Sequence, residues 1–204
     1  NPQYFNKMSS GEDQVLAVSI SDRNLRELKS KVMRNIVAGN WKSNKLMNEA
    51  LDFTSAVVSA LAETAGETHV YIAPPAPYLA RFAEHSSGRL PWAAQQCSAF
   101  ESGAFTGEFT AEMVHSVGAR AVLIGHSERR AAFGETDEVV HAKVSRALAA
   151  GLRPFLCCGE SLEQREAGHP EEVVFRQLES ALAGVTDPAD LVVAYEPIWA
   201  IGTG

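Results

Sequence analysis

The 204-residue sequence predicts an α/β protein whose parallel strands are buried on both faces, and three observations carry that prediction. Short apolar runs recur without period-two alternation, amphipathic stretches with helical spacing lie between them, and the two kinds of segment alternate at intervals of about thirty residues, the length of a βα unit. Six such units can be counted from Asn35 onward. An open doubly wound sheet is the alternative, but it normally carries a Gly-rich phosphate loop after its first strand, and GNWKSN is not one; a barrel is favoured.

Taken in order, residues 1–32 are polar and mixed, with one strand-like run at 14–20 and a helical pattern from Ser21 through Leu25, Leu28 and Val32. Met33 opens a segment of different character, and the division is set at 1–32, an N-terminal extension or upstream remnant of unknown role, and 33–204, the barrel domain. The apolar runs then follow at 36–40, 70–73, 92–95, 121–124, 154–158 and 191–195. Between them, 46–63 reads as a long helix with Leu51, Val58 and Leu61 on one face. Val140, Val144, Ala147 and Leu148 repeat at helical spacing before Gly151, and Val174, Leu178 and Leu182 do the same later.

The chemistry is expected at the carboxyl ends of the strands, where α/β barrels place it. Asn40 and Lys42 flank Trp41 after the first run, and strand alternation sends both to one side. In IGHSERR, His126 sits on a sharp turn at a helix start with Ser127 available as the cap, and the positive end of that helix disfavours an imidazolium, leaving a neutral hydrogen-bond donor. Glu196 stands where the run 191–195 stops, held by Pro197 and followed by Ile198, Trp199 and Ile201 before the flexible Gly202 and Gly204, which reads as a lid over a closed site. A carboxylate base, a neutral imidazole and an ammonium suit proton transfer at a carbon next to a carbonyl. Glu196 takes the proton, His126 stabilises the enediolate, and Lys42 balances an anionic substrate.

Composition narrows the class. At 46% hydrophobic and 21% charged, the chain is composed like an ordinary soluble domain. A net charge of −7 argues against nucleic acid or an anionic membrane surface as the main partner. No apolar run approaches the ~18 residues of a membrane span, and a cytoplasmic protein is expected. Cys97, Cys157 and Cys158 read as reduced, buried small hydrophobes, and the histidines other than His126 are scattered without paired acidic neighbours, so no metal is assigned.

Five segments, GNWKSN at 39–44, GAFTGE at 103–108, IGHSERR at 124–130, CCGE at 157–160 and AYEPIWAIGTG at 194–204, resemble those of the triosephosphate isomerase family in order and spacing, from about Met33 to Gly204. The resemblance implies a (β/α)8 TIM barrel, with only about the first six βα units present in this chain. It implies interconversion of dihydroxyacetone phosphate and D-glyceraldehyde 3-phosphate through an enediol(ate), in glycolysis and gluconeogenesis, without a cofactor. Position by position, it implies Asn40 and Lys42 as substrate contacts, His126 as electrophile, Glu196 as base, Ser127 and Glu128 as supporting residues, and the Gly202 N–H as a phosphate donor. The connection 98–109 is longer than an ordinary βα loop. The resemblance sends it into a second subunit of a homodimer, with Thr106 beside the partner's active site; the other reading is a loop packed on its own barrel by Phe100, Phe105 and Phe109. Because the family continues past Gly204 through two more strands and phosphate-binding glycines, residues 1–204 alone are expected to be inactive and to associate. The run 14–20 would cover one sheet edge without supplying those glycines. The rivals are a non-catalytic binding or assembly subunit derived from the same barrel, inactive for lack of the phosphate-binding loops, and a related barrel acting on another phosphorylated sugar.

Overall fold

The computed structural model describes residues 17–19, 35–63, 68–86, 88–188 and 190–201. The helix expected from Ser21 to Val32 lies outside the described residues. The elements are β1 (Ala17–Ser19), β2 (Ile36–Asn40), α1 (Met47–Glu63), β3 (His69–Ala73), α2 (Leu79–Ser86), β4 (Ala93–Ala94), α3 (Ala111–Ser116), β5 (Ala121–Ile124), α4 (Ser127–Phe133), α5 (Asp137–Ala149), β6 (Arg153–Cys158), α6 (Leu162–Glu166), α7 (Pro170–Ala181) and β7 (Val192–Tyr195). Single 3-10 turns at Ala76–Tyr78 and Ile198–Ala200 complete them.

The apolar runs from β2 to β7 become neighbouring parallel strands. β2 pairs with β3, and β4, β5, β6 and β7 pair in sequence order. A single parallel bridge from Ile72 to Trp92 joins the two groups. This is the strand succession of a TIM barrel. One strand departs from the parallel pattern: β1 lies antiparallel on the outer edge of β7, with Val18 opposite Val193. It falls inside the run 14–20.

Each central strand is buried on both sides, which is why its sequence shows no alternation. Leu123, Phe155, Val192 and Tyr71 pack together on the inner face. Their immediate neighbours Val122, Leu156, Val193 and Ile72 belong to the layer shared with the helices. Burying a side chain of this size is worth about 1.5–3 kcal/mol, so both layers contribute to holding the strand ends that carry the site. Outside the strands, Trp41, Phe82 and Trp92 form an edge-to-face series with centroid separations of 5.9 and 6.2 Å. That series locks the turn after β2, and with it Lys42, against α2 and β4.

The helix predictions carry over with small shifts at the ends. α1 begins at Met47, because the Glu49 carboxylate accepts the Leu46 N–H at 2.7 Å and takes up an orphan donor at the helix start. α5 starts at a Thr136 cap and ends before Gly151, its buried face formed by Val140, Val144 and Ala147. The short helices α2, α3 and α6 are too brief to give a periodic signal.

Candidate active site

All the polar residues singled out at strand ends gather at the carboxyl end of the sheet. A cavity of about 80 Å³ opens inside the strands. Its walls are apolar, with Leu123, Phe155 and Val192 among them, and its polar lining includes Asn40, His126 and Glu196. Residues widely separated in sequence thus share one space.

His126 is 7% exposed and is itself the N-cap of α4; Ser127 is the first helical residue and not the cap. The reason is local: the imidazole Nδ1 accepts the backbone N–H of Glu128 at 3.2 Å, the role a Ser or Asp side chain usually fills. An acceptor Nδ1 carries no proton, which places the ring proton on Nε2. Nε2 lies 3.4 Å from Glu196 Oε1. The other carboxylate oxygen of Glu196 is 3.5 Å from the Ser127 hydroxyl.

The Glu196 backbone is fixed tightly. Its N–H donates to Cys158 O at 2.7 Å. A Cβ on Gly159 would lie 1.7 Å from the Glu196 carbonyl oxygen, so only glycine fits at 159. The side-chain amide of Gln177 then clamps Gly159 from both sides, accepting its N–H at 2.9 Å and donating to its C=O at 3.2 Å. Cys157 lies alongside. Burial, then the charge of Glu196 and a hydrogen bond with it, push this thiol well above its ordinary value.

Asn40 and Lys42 share one turn, in which Asn40 Oδ1 accepts the Lys42 N–H at 2.9 Å. Lys42 has φ of 51°, a left-handed conformation uncommon outside glycine and a mark of stored strain. Gln95 secures the turn by donating to the carbonyls of Lys42 (2.8 Å) and Ala73 (2.9 Å). The Lys42 ammonium meets Glu128 Oε1 at 2.8 Å, with both side chains well exposed. A pair of that kind contributes little stability and is exchangeable.

Glu160, two residues past the end of β6, is a buried carboxylate beside the site to which the sequence pattern assigns no role. It is fully buried, and it accepts from Tyr195 Oη at 2.9 and 3.0 Å, from Trp199 Nε1 at 3.1 Å and from Arg165 Nη1 at 3.0 Å. Burial acts to raise its carboxyl, but the hydrogen bonds from Trp199, its own backbone, Tyr195 and Arg165 prevail and hold it below the usual carboxylate range. The guanidinium of Arg165 also lies over the Trp199 ring, 4.7 Å from its centroid. Glu160 therefore holds the segment that follows Glu196. The signal that found Glu196, an ionisable residue where a buried strand stops, applies equally to Glu160. Cys157, Gln95 and Gln177 had no comparable signal.

The remaining residues are placed as follows. Gly202 lies outside the described residues. Thr106 does not line the cavity; it sits on the loop 98–109, in which residues 100–108 are all exposed. Phe100 and Phe105 stack on each other at 4.3 Å with the rings 6° apart, and both remain exposed, whereas Phe109 packs on the core. Of the three aromatics, only Phe109 anchors the loop to its own barrel. Among the described residues, no three His, Cys, Asp or Glu converge as a metal site, and no helix is long and apolar enough to cross a membrane.

A parallel βα barrel with a carboxylate and an imidazole facing each other at the carboxyl ends of its strands defines an enzyme-type barrel built for acid–base chemistry. Comparison with known proteins gives the class a family. The triosephosphate isomerase family model matches residues 35–204. The triosephosphate isomerase of Prosthecochloris aestuarii is 47% identical over 172 residues, 84% of this chain and 68% of the relative. That of Porphyromonas gingivalis is 50% identical over 174 residues, 84% of this chain and 69% of the relative. The crystal structure of triosephosphate isomerase from Bartonella henselae superposes with a TM-score of 0.76 at 36% identity, over 82% of this chain and 69% of that one. The chain belongs to the triosephosphate isomerase family.

Proposed function

We propose that the protein is an isomerase that interconverts dihydroxyacetone phosphate and D-glyceraldehyde 3-phosphate, with Glu196 as the base and His126 as the electrophile. The Glu196 carboxylate removes a proton from the carbon beside the substrate carbonyl, and the electrons of that C–H bond form the enediolate double bond. The Nε2–H of His126 donates to the oxygen on which negative charge grows. The hydroxyl proton of the neighbouring oxygen passes, by way of His126 Nε2, to the oxygen that carried the charge, and return of the carbon proton from Glu196 to the adjacent carbon completes the exchange of ketone and aldehyde, so no redox partner is consumed. Lys42 exchanges Glu128 for the substrate's negative charge, Asn40 binds beside it, Ser127 and Glu128 support the base and the helix start, and the Gly202 N–H binds phosphate.

The observation that carries this reading is the 3.4 Å approach of His126 Nε2 to Glu196, with Nδ1 already occupied by the Glu128 N–H. The relatives named for the isomerase favour the enzyme over a non-catalytic subunit of the same barrel. We assign residues 33–204 to the barrel domain and 1–32 to an extension, and place the protein in the cytoplasm. The exposed loop 98–109 is the contact of a homodimer, with Thr106 at the partner's site; the stacked, solvent-facing Phe100 and Phe105 support this reading.

The test is Glu196→Gln in the completed protein, with the C-terminal portion of the family added, assayed in both directions. Loss of a general base lowers turnover by ~10²–10⁴-fold, with little change of volume. Turnover within a few-fold of the parent would remove Glu196 from the mechanism.

A further inference from the structure

Arg130, on α4 beside the site, is held by two of its three guanidinium nitrogens. Its Nε donates to Gly125 O at 2.9 Å and its Nη1 to Asp137 Oδ1 at 2.5 Å, which fixes the guanidinium plane. The third nitrogen, Nη2, is buried with no hydrogen-bond partner among the described residues. A guanidinium N–H left without an acceptor is among the more costly buried groups, so the protein is expected to supply one. Arg130 lines a small cavity of about 10 Å³, whose other walls include Glu196, Ser127, Gln177 and Ile198. Gly125 also lines it, and a Cβ there would come within 3.3 Å of Nη2, so the wall beside the orphan nitrogen is kept clear by the absence of a side chain.

A space of this size holds one water and no larger ligand, and a buried water needs two to four polar partners. Gln177 is already engaged with Gly159 through both ends of its amide. Among the lining residues, that leaves Arg130 Nη2 as a donor without an acceptor, and the Glu196 carboxylate and Ser127 hydroxyl, only 3.5 Å from each other, as side chains with hydrogen-bonding capacity to spare.

We propose that this cavity binds a single ordered water that accepts from Arg130 Nη2 and donates to the Glu196 carboxylate, making Arg130 a positioning residue for the base. The inference rests on the reading of Glu196 as base. The water holds the carboxylate from behind while His126 faces it from the front, so the guanidinium acts on the reaction without touching substrate. Ile198 also lines the cavity, which couples the water to the segment that follows Glu196.

The experiment has two arms. A high-resolution crystal structure of the chain should show water within hydrogen-bond reach of Arg130 Nη2 and of Glu196; a dry cavity overturns the proposal. In the protein completed with the family's C-terminal portion, Arg130→Met should lower kcat by about 10-fold or more while KM moves by less than about threefold, because misplacing a base affects the chemical step more than binding. Arg130→Lys, which keeps a donor and a charge, should recover most of the loss. Unchanged kcat in Arg130→Met, or a loss confined to KM, overturns it. Should Arg130→Met fail to fold, the diffraction arm and Arg130→Lys still decide. The base assignment is read separately by Glu196→Gln turnover, so a failure there with the water in place would remove the base and leave the water contact standing.

Discussion

Glu160→Gln offers the sharpest test of how the site is held. The substitution keeps the shape of the side chain and removes its charge, while leaving Tyr195 Oη, Trp199 Nε1 and Arg165 Nη1 directed at it. Trp199 and Arg165 both donate to Oε1, while Oε2 meets Tyr195 Oη, so the amide keeps its oxygen toward the first two and turns its NH₂ to the Tyr195 hydroxyl, which then accepts. A hydrogen bond to a charged group is worth about 1.5–3 kcal/mol against about 0.5–1.5 kcal/mol for a neutral one, so what the substitution removes is the charge assistance. The Arg165 contribution is discounted, because its side chain is 47% exposed and water replaces the lost partner. The sum is a loss of about 1–3 kcal/mol, which for a domain of this size lowers Tm by about 2–12 °C. The pH dependence has a definite sign. Because the folded-state carboxyl lies below its unfolded value, its stabilisation is fully present above the unfolded pKa of about 4.3 and fades as pH falls through the lower folded value. The gap between parent and Glu160→Gln should therefore be wide at neutral pH and close in acid. Thermal melts followed by circular dichroism at a series of pH values measure it, and Trp199 fluorescence reports whether the lid has loosened. A variant that melts within a degree of the parent at neutral pH would refute the role given to Glu160.

Gly159→Ala places a methyl 1.7 Å from the Glu196 carbonyl, so the end of β7 must move; a displacement near an ångström costs about 10²-fold in turnover, measurable by steady-state kinetics and visible by diffraction. Thr106→Arg, on the exposed loop 98–109, should shift sedimentation from dimer to monomer while far-ultraviolet dichroism is retained. The thiols of Cys97 and Cys158 are pushed up to about 12, by burial above all, so at a pH near 9 only about one in a thousand is ionised and alkylation of the folded protein should be slower than of the unfolded chain by that order. Equal rates in the two states would contradict the buried placement.

What could be read in the sequence follows from which forces act locally. The strands and the longer helices were legible because burial on both faces imprints itself on consecutive residues, as in 121–124 and 154–158, and because helices such as α1 and α5 are long enough for the 3.6-residue period to repeat. His126 and Glu196 stood out because each interrupts an apolar run at its end. The cap of α4 was misassigned to Ser127, since a hydroxyl is the commoner cap and nothing in the letters shows that an imidazole faces back onto the next turn. Gln95, Gln177 and Arg130 escaped notice for another reason. Their partners are 53, 18 and 7 residues away and are chosen by packing, which a linear pattern does not record.

The cap that His126 makes has a consequence for how the site tolerates change. In many enzymes the proton of a working histidine is directed by a carboxylate from a distant part of the chain, and its address is lost when that partner drifts. Here the ring's orientation and tautomer are written into three consecutive residues, 126 to 128, by a backbone amide that no substitution except proline can delete. Mutations across the rest of the barrel can loosen the cavity, shift the lid or weaken the sheet and still leave the proton on Nε2. A population of such sequences can therefore drift widely in its core without losing the orientation and tautomer of His126, provided the first turn of α4 still forms.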